Sequence, residues 1–344
     1  MYTEERRNSG RFKCPRFPNL SEAEIAKINH NLYREISIWV DLKHQFVLPL
    51  YGTTKGFGLF PALVFPWMPN GTLNSYLNRQ DGTLTTMVRL RILKQITVGL
   101  EYLHDNDIIH GDLTTNNVLV AADGSPRLAD FGISNIIVAS NPAFSYHTGA
   151  VRWAAPELII VPEGQTVQRT TKSSDIYSLG CIMLQVLYGK LPYWWINTAL
   201  QVVTSKFTNQ EPINNTVEIQ ANYLNFLRRC WSTESESRPS VGEGIHKLND
   251  LELSHRSRNV QSDHDQKGAV SSSSSAHPVP DLRVTFGPIR QKDRAADGDE
   301  ESEEDEFYDV SVVSPCLATL VRIRKYGSRL YQTLCASVDV PFSP

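Results

Sequence analysis

IIHGDLTTNNVLV at 108–120, followed by LADFG at 128–132, is the stretch on which the reading of this chain turns. Two β-branched residues, Ile108 and Ile109, precede Asp112, and a second apolar run, Val118-Leu119-Val120, follows it. The pattern predicts strand, tight loop, strand. Such a loop presents Asp112 as acceptor of a hydroxyl proton, while Asn117 turns back to hold a divalent cation. Ala121-Ala122-Asp123-Gly124 then predicts a hairpin turn leading through Pro126, Arg127 and Leu128 to Asp130, an oxygen donor at a strand end. Each of the three residues has an ordinary reading as a turn former. Their joint spacing argues instead for one site.

On these residues the chain resembles the eukaryotic protein kinase family. HGDLTTNN is similar to the catalytic loop HRDLxxxN, ADFG to DFG, and AAPE at 154–157 to APE, in the family's order. DIYSLG at 175–180 resembles the start of the family's buried central helix, whose Asp, here Asp175, holds the catalytic-loop backbone. CWSTESESRPS at 230–240 resembles the late motif whose Arg, here Arg238, pairs with the APE glutamate, here Glu157. RWAAPE, and CW followed by RPS, are in the style of the tyrosine-kinase-like branch. The likeness covers roughly residues 11–253 and implies an α+β two-lobe fold: a small, incomplete β-rich N-lobe over about 1–68 and a large, mainly α C-lobe over about 69–253.

The activity it implies is transfer of the ATP γ-phosphate to a protein hydroxyl, Ser or Thr, with Mg²⁺. Asp112 would orient the acceptor and take its proton, and Asn117 and Asp130 would hold Mg²⁺. Lys13 and Glu35 would position the ATP phosphates. The backbone near Met68 would meet adenine, with Leu119 also among the cofactor-binding residues and Phe65 at the gatekeeper position. His110 is implied to be structural, its ring packed on Phe131.

Composition fits this class. The chain has 344 residues, 41% hydrophobic and 21% charged, with a net charge of −3, so no basic surface calls for nucleic acid. The five cysteines show no CxxC or CxC pairing and read as reduced thiols of a cytoplasmic protein. MYTEERRNSGR at the start carries charge where a secretory peptide needs an apolar core. The longest apolar stretch, 176–188, is shorter than the ~20 residues of a membrane span.

Leu32, Ile36, Trp39 and Val40 fall at helical spacing, which predicts a helix over 32–42 carrying Glu35. The runs 47–51 and 61–65 predict short strands. In PWMPNGTLNSYL at 66–77, Asn70-Gly71 predicts a turn, and Thr72 or Asn74 the cap of a following helix. Ile92, Ile96, Leu100 and Leu103 predict a long helix with one buried face.

The family pattern breaks in four places. No G-x-G-x-x-G precedes the first predicted strand, so the N-lobe is expected to lack two strands and a phosphate loop. Gly111 replaces the Arg of HRD, which argues against activation through a phosphorylated loop that pairs with it. Thr114 stands where Ser/Thr kinases carry a Lys, and Asn116 where tyrosine kinases carry an Arg, so cationic support of the transferring phosphoryl is reduced. Ala150 occupies the place of a Thr that contacts the catalytic Asp in many Ser/Thr kinases. Ser134, Ser140, Ser145, Tyr146 and Thr148 are candidate phosphoacceptors.

Beyond Leu253 the composition changes. A serine run at 271–275 and an almost wholly acidic stretch at 297–306 predict a disordered polar and acidic linker over 254–306. The tail, 307–344, regains periodicity at 317–334 with Arg322, Arg324, Lys325 and Arg329 among apolar positions. That predicts a basic amphipathic helix able to meet a partner or a membrane surface, or else a solvated tail. Two functions stay open: a protein kinase, and a pseudokinase whose lobe serves as a scaffold, the second motivated by the missing phosphate loop.

Overall fold

A computed structural model describes residues 10–13, 21–55, 60–80, 82–132, 150–160, 168–214, 216–268, 306–314 and 317–325, with side chains omitted at 10–13, 258–268 and the last two segments. The chain divides into two compact units, residues 1–69 with 290–344, and residues 70–289.

In the first unit, β1 (Gly10–Lys13) pairs antiparallel with β3 (Ala62–Pro66), Gly10 opposite Pro66 and Lys13 opposite Leu63, and β2 (Gly52–Thr54) pairs antiparallel with β3. The helix α1 (Glu22–Asp41) begins ten residues before the predicted start, because Ser21 and Glu24 form a reciprocal capping box that nucleates it upstream of the apolar pattern. Ile28, Leu32, Ile36 and Trp39 make its buried stripe. Val40, predicted on that stripe, is exposed, since it lies about 100° around the helix from Trp39. Residues 47–51 form no strand beyond a bridge at Val47. The strand comes just after them, at Gly52–Thr54, while Val47, Leu48 and Leu50 are buried as core-facing loop residues.

The tail differs most from expectation. Over 317–325, where a helix is predicted, the backbone forms β7 (Leu317–Lys325), antiparallel to β6 (Glu306–Ser314) and parallel to β1, so the sheet runs β2-β3-β1-β7-β6. Thr319, Val321 and Ile323 alternate with Leu320, Arg322 and Arg324. Period two with β-branched residues prevails over a weaker helical period. Residues 326–334 lie outside the described residues.

The second unit is mainly helical: α2 (Leu73–Arg79), α3 (Thr86–Asp105), α4 (Pro156–Ile159), α5 (Lys172–Tyr188), α6 (Ala199–Phe207), α7 (Ala221–Cys230) and α8 (Val241–Gly268), with the hairpin β4 (Val118–Val120) and β5 (Pro126–Leu128). Thr72 caps α2, its hydroxyl accepting from Ser75 N at 3.2 Å. Ile108 and Ile109 form no strand. They follow a C-terminal turn in which Ile108 N donates to Leu103 O, so the approach to Asp112 is a helix exit. The 254–306 segment is helical at its start, where α8 runs on to Gly268. Residues 269–305 lie outside the described residues.

α5 is buried along almost its whole length and capped by Thr171. At Gly180 an added Cβ would stand 2.7 Å from Cys230 Cβ and 2.9 Å from Trp231 Nε1. Gly180→Ala is therefore expected to destabilise the fold by about 1–3 kcal/mol through overpacking, despite alanine's better helix propensity. Urea unfolding measures this; an unchanged midpoint would mean that α7 shifts freely. Among the described residues no helix is long and apolar enough to cross a membrane.

Candidate functional site

Asp112 sits in a loop held from three directions. Its own N–H donates to His110 Nδ1 at 3.4 Å, and Asn117 Nδ2 donates both to Asp112 O and to Asp112 Oδ2 at 2.8 Å each. The five-residue spacing read from sequence thus closes a ring through one amide. With Nδ2 turned to Asp112, Asn117 presents Oδ1 as its remaining acceptor, the atom that a hard cation takes.

Asp130 is brought to this loop by backbone bonds on both sides of it. Ala129 N donates to Asn117 O at 2.9 Å and Gly132 N to His110 O at 3.0 Å. Asp130 itself has φ +62°, a left-handed conformation that Asp tolerates better than most residues. The strain persists because flanking bonds over-determine it.

The loop is anchored to α5 through Asp175, which is 1% exposed. Asp175 Oδ2 accepts from His110 N at 2.8 Å and meets His104 Nε2 at 2.9 Å, while Oδ1 accepts from Gly111 N at 2.9 Å. A second anchor runs from Thr115 Oγ1 to Gln185 Oε1, with Gln185 Nε2 donating to Asn74 Oδ1, both at 2.9 Å. Gly111 has φ +78°, and a Cβ there would lie 3.0 Å from Thr170 Oγ1. The residue in place of the family's Arg is thus one that fits the turn without strain.

His110 is fully buried, and its ring meets Phe131 edge-on at 6.3 Å. Burial pushes the imidazole below its ordinary pKa, against the opposing pull of Asp175, Asp112 and Asp130. It is therefore neutral at neutral pH.

Leu119, in β4, is buried and its backbone bridges to Thr72. The remaining sequence candidates belong to the first unit. Glu35 lies on α1 with Arg34 Nη2 at 3.6 Å, Met68 is buried just after β3, and Lys13 ends β1, its side chain outside the described residues. The candidate phosphoacceptors between Ser134 and Thr148 lie outside the described residues as well.

The sequence reading missed His104, Gln185 and Lys206. His104 had a usable signal, since a polar residue in the last turn of an otherwise apolar helix face needs a buried partner. No two or more oxygen donors besides Asn117 and Asp130 are needed for a cation that keeps its waters and takes phosphate oxygens, as Mg²⁺ does. This donor set, two hard oxygens held by backbone bonds, fits such an ion.

The protein kinase domain family model matches residues 16–248, about two thirds of the chain. Among curated proteins the chain is similar to Ephrin type-A receptor 5 of Homo sapiens, 28% identical over 256 residues, which are 71% of this chain and 24% of that protein. It is similar also to Ephrin type-A receptor 3 of Danio rerio, 30% identical over 224 residues (63% and 22%), and to Ephrin type-B receptor 2 of Gallus gallus, 29% identical over 251 residues (67% and 23%). The chain spans about a quarter of the length of these relatives.

Proposed function

The chain belongs to the protein kinase family, in its tyrosine-kinase-like branch, and we propose that it transfers the γ-phosphate of ATP to a serine or threonine hydroxyl of a protein substrate. The observation that carries the reading is the paired amide of Asn117 on Asp112, which aims one carboxylate and one amide oxygen from a single rigid loop. A scaffold that had given up chemistry would have no need to hold both.

Asp112 Oδ atoms orient the acceptor hydroxyl and take its proton as the new bond forms. Asn117 Oδ1 and the Asp130 carboxylate would hold Mg²⁺, which would supply neutralisation of the phosphate oxygens. Lys13 and Glu35 position the α and β phosphates, and Met68 and Leu119 serve the adenine. Neutral His110 moves no proton; it keeps Phe131, and with it Asp130, in place. Asn116, standing where an Arg would mark a tyrosine acceptor, supports the aliphatic hydroxyl.

Binding of Mg·ATP to the folded state must stabilise it, by about 2.7 kcal/mol at a hundredfold excess over Kd, and so raise the unfolding midpoint. The expected result is a Mg²⁺-dependent thermal shift with ATP, together with phosphate incorporation into dephosphorylated casein in preference to a Glu/Tyr copolymer. Incorporation into the copolymer alone would reverse the acceptor assignment. No shift at millimolar Mg·ATP would favour the scaffold.

A further inference from the structure

Lys206, on α6, is 1% exposed and has no role in the chemistry above. Its Nζ donates to Ala154 O at 2.7 Å, to Tyr177 Oη at 3.0 Å and to Arg152 O at 3.4 Å, so each of the three ammonium protons has an acceptor. The same nitrogen lies 4.5 Å from the Tyr177 ring centre and 4.8 Å from that of Tyr193. Tyr177 and Tyr193 hydroxyls are 3.1 Å apart, and Tyr193 Oη donates on to Gln210 O at 2.9 Å. A charge has been buried in a cage of carbonyls and ring faces rather than against a carboxylate.

What the cage grips is one short piece of backbone. Ser178 Oγ donates to Trp153 O at 2.9 Å, so three successive carbonyls, of Arg152, Trp153 and Ala154, are captured by side chains of α5 and α6. The Arg152 guanidinium in turn donates to Pro192 O and Tyr193 O, at 3.0 and 2.6 Å. Asp175 and Ser178, three residues apart, lie on one face of α5. The former holds the loop of Asp112 and the latter holds Trp153. The two stretches are therefore held by one helix, one turn apart on it.

We propose that Lys206 is a positioning residue for the protein acceptor: by gripping the backbone of Arg152 and Ala154 it fixes residues 150–157 against α5 and α6. Its consequence for activity rests on the phosphotransfer reading. Its consequence for local structure does not.

The cage also predicts a sign for pH. Desolvation pulls Lys206 down to about 7, opposed by Cys181 and Glu157 and reinforced by Arg238. Around it Cys181 is pushed up to about 12 and Tyr177 and Tyr193 are also raised, all by burial first, so these three keep their protons through that range. When the segment opens, the amine is hydrated and regains its ordinary value, so above about 7 the open form binds more protons than the closed one. Raising pH must favour the closed form.

The test compares the whole chain with Lys206→Met, an unbranched apolar side chain of similar length. Hydrogen exchange of amides 150–160 is expected to quicken at least about tenfold in the variant with the rest of the lobe unchanged. KM for casein should rise about tenfold while the Mg·ATP thermal shift stays as in the parent. Unchanged exchange at 150–160, or a loss spread evenly over kcat, ATP binding and exchange everywhere, overturns the proposal. Should the variant not fold, the parent decides: protection at 150–160, corrected for intrinsic exchange, must rise as pH increases through about 7, and a flat profile overturns it. A parent inactive on casein and on a Glu/Tyr copolymer removes the phosphotransfer reading, yet leaves the exchange arm to judge Lys206.

Discussion

Asp112→Asn is expected to lower kcat for phosphotransfer to casein by about 10²–10⁴-fold while leaving the fold and Mg·ATP binding intact. The substitution is isosteric, and the asparagine oxygen can still accept from Asn117 Nδ2. The loop's other ties, Asp112 N to His110 Nδ1 and Asn117 Nδ2 to Asp112 O, involve backbone atoms that the change does not touch. Asp175 continues to hold His110 N and Gly111 N. What is lost is the charge and the proton affinity of one carboxylate. An effect on kcat with the ATP thermal shift preserved would place that carboxylate in the chemical step. A variant as active as the parent would remove Asp112 from that role, and with it the reading of the loop.

The geometry of this loop was legible because its contacts are local. Asp112 and Asn117 are five residues apart, and Thr72, Asp123 and Gly124 act on their immediate neighbours through cap and turn chemistry that a sequence displays directly. Arg238 and Glu157 were also legible, though 81 positions apart, because each carries a recognisable motif of its own.

What escaped the sequence depends on tertiary context. Lys206 looks like a surface lysine in the last turn of an amphipathic helix, the place where a cation suits the helix dipole. Only the fold brings Arg152, Tyr177 and Tyr193 around it. His104 likewise needs α5 beside α3 before its partner Asp175 exists. The tail is a different failure. Leu317, Leu320, Val321 and Arg324 fall at helical spacing while Leu317, Thr319, Val321 and Ile323 fall on one face of a strand, and the choice falls to whether a neighbouring strand edge is present. β1 supplies that edge through its pairing with β7. Similarly, the apolar run at 47–51 was read one element too early, since burial alone does not distinguish a core-facing loop from a strand.

The ion pair between Glu157 and Arg238 bears the largest expected effect on stability. Arg238 Nη1 donates to Glu157 Oε1 at 2.6 Å and Nη2 to Oε2 at 2.8 Å, a parallel two-bond pairing. Nε donates to Ser232 O at 2.9 Å and Nη1 also to Ser173 O at 3.2 Å, so the guanidinium ties α4, the start of α5 and the turn before α8 together. Its side chain is 0% exposed and that of Glu157 18%. Arg238→Met would strand the carboxylate of Glu157 in a site with little water, at a cost of about 3–5 kcal/mol, a large share of the ~5–15 kcal/mol by which domains are stable. For a domain of this size the unfolding midpoint should fall by on the order of 10 °C. Combining Arg238→Met with Glu157→Leu removes the stranded charge, so the double variant should be more stable than Arg238→Met alone, and the cycle should return a coupling of about 2 kcal/mol or more. Additive losses would mean that Arg238 acts through Ser173 and Ser232 and that the carboxylate is incidental. With coupling found, the end of the stretch that Lys206 grips would be shown to hang on a desolvated pair, because Glu157 follows Ala154, which Lys206 holds, by only three residues.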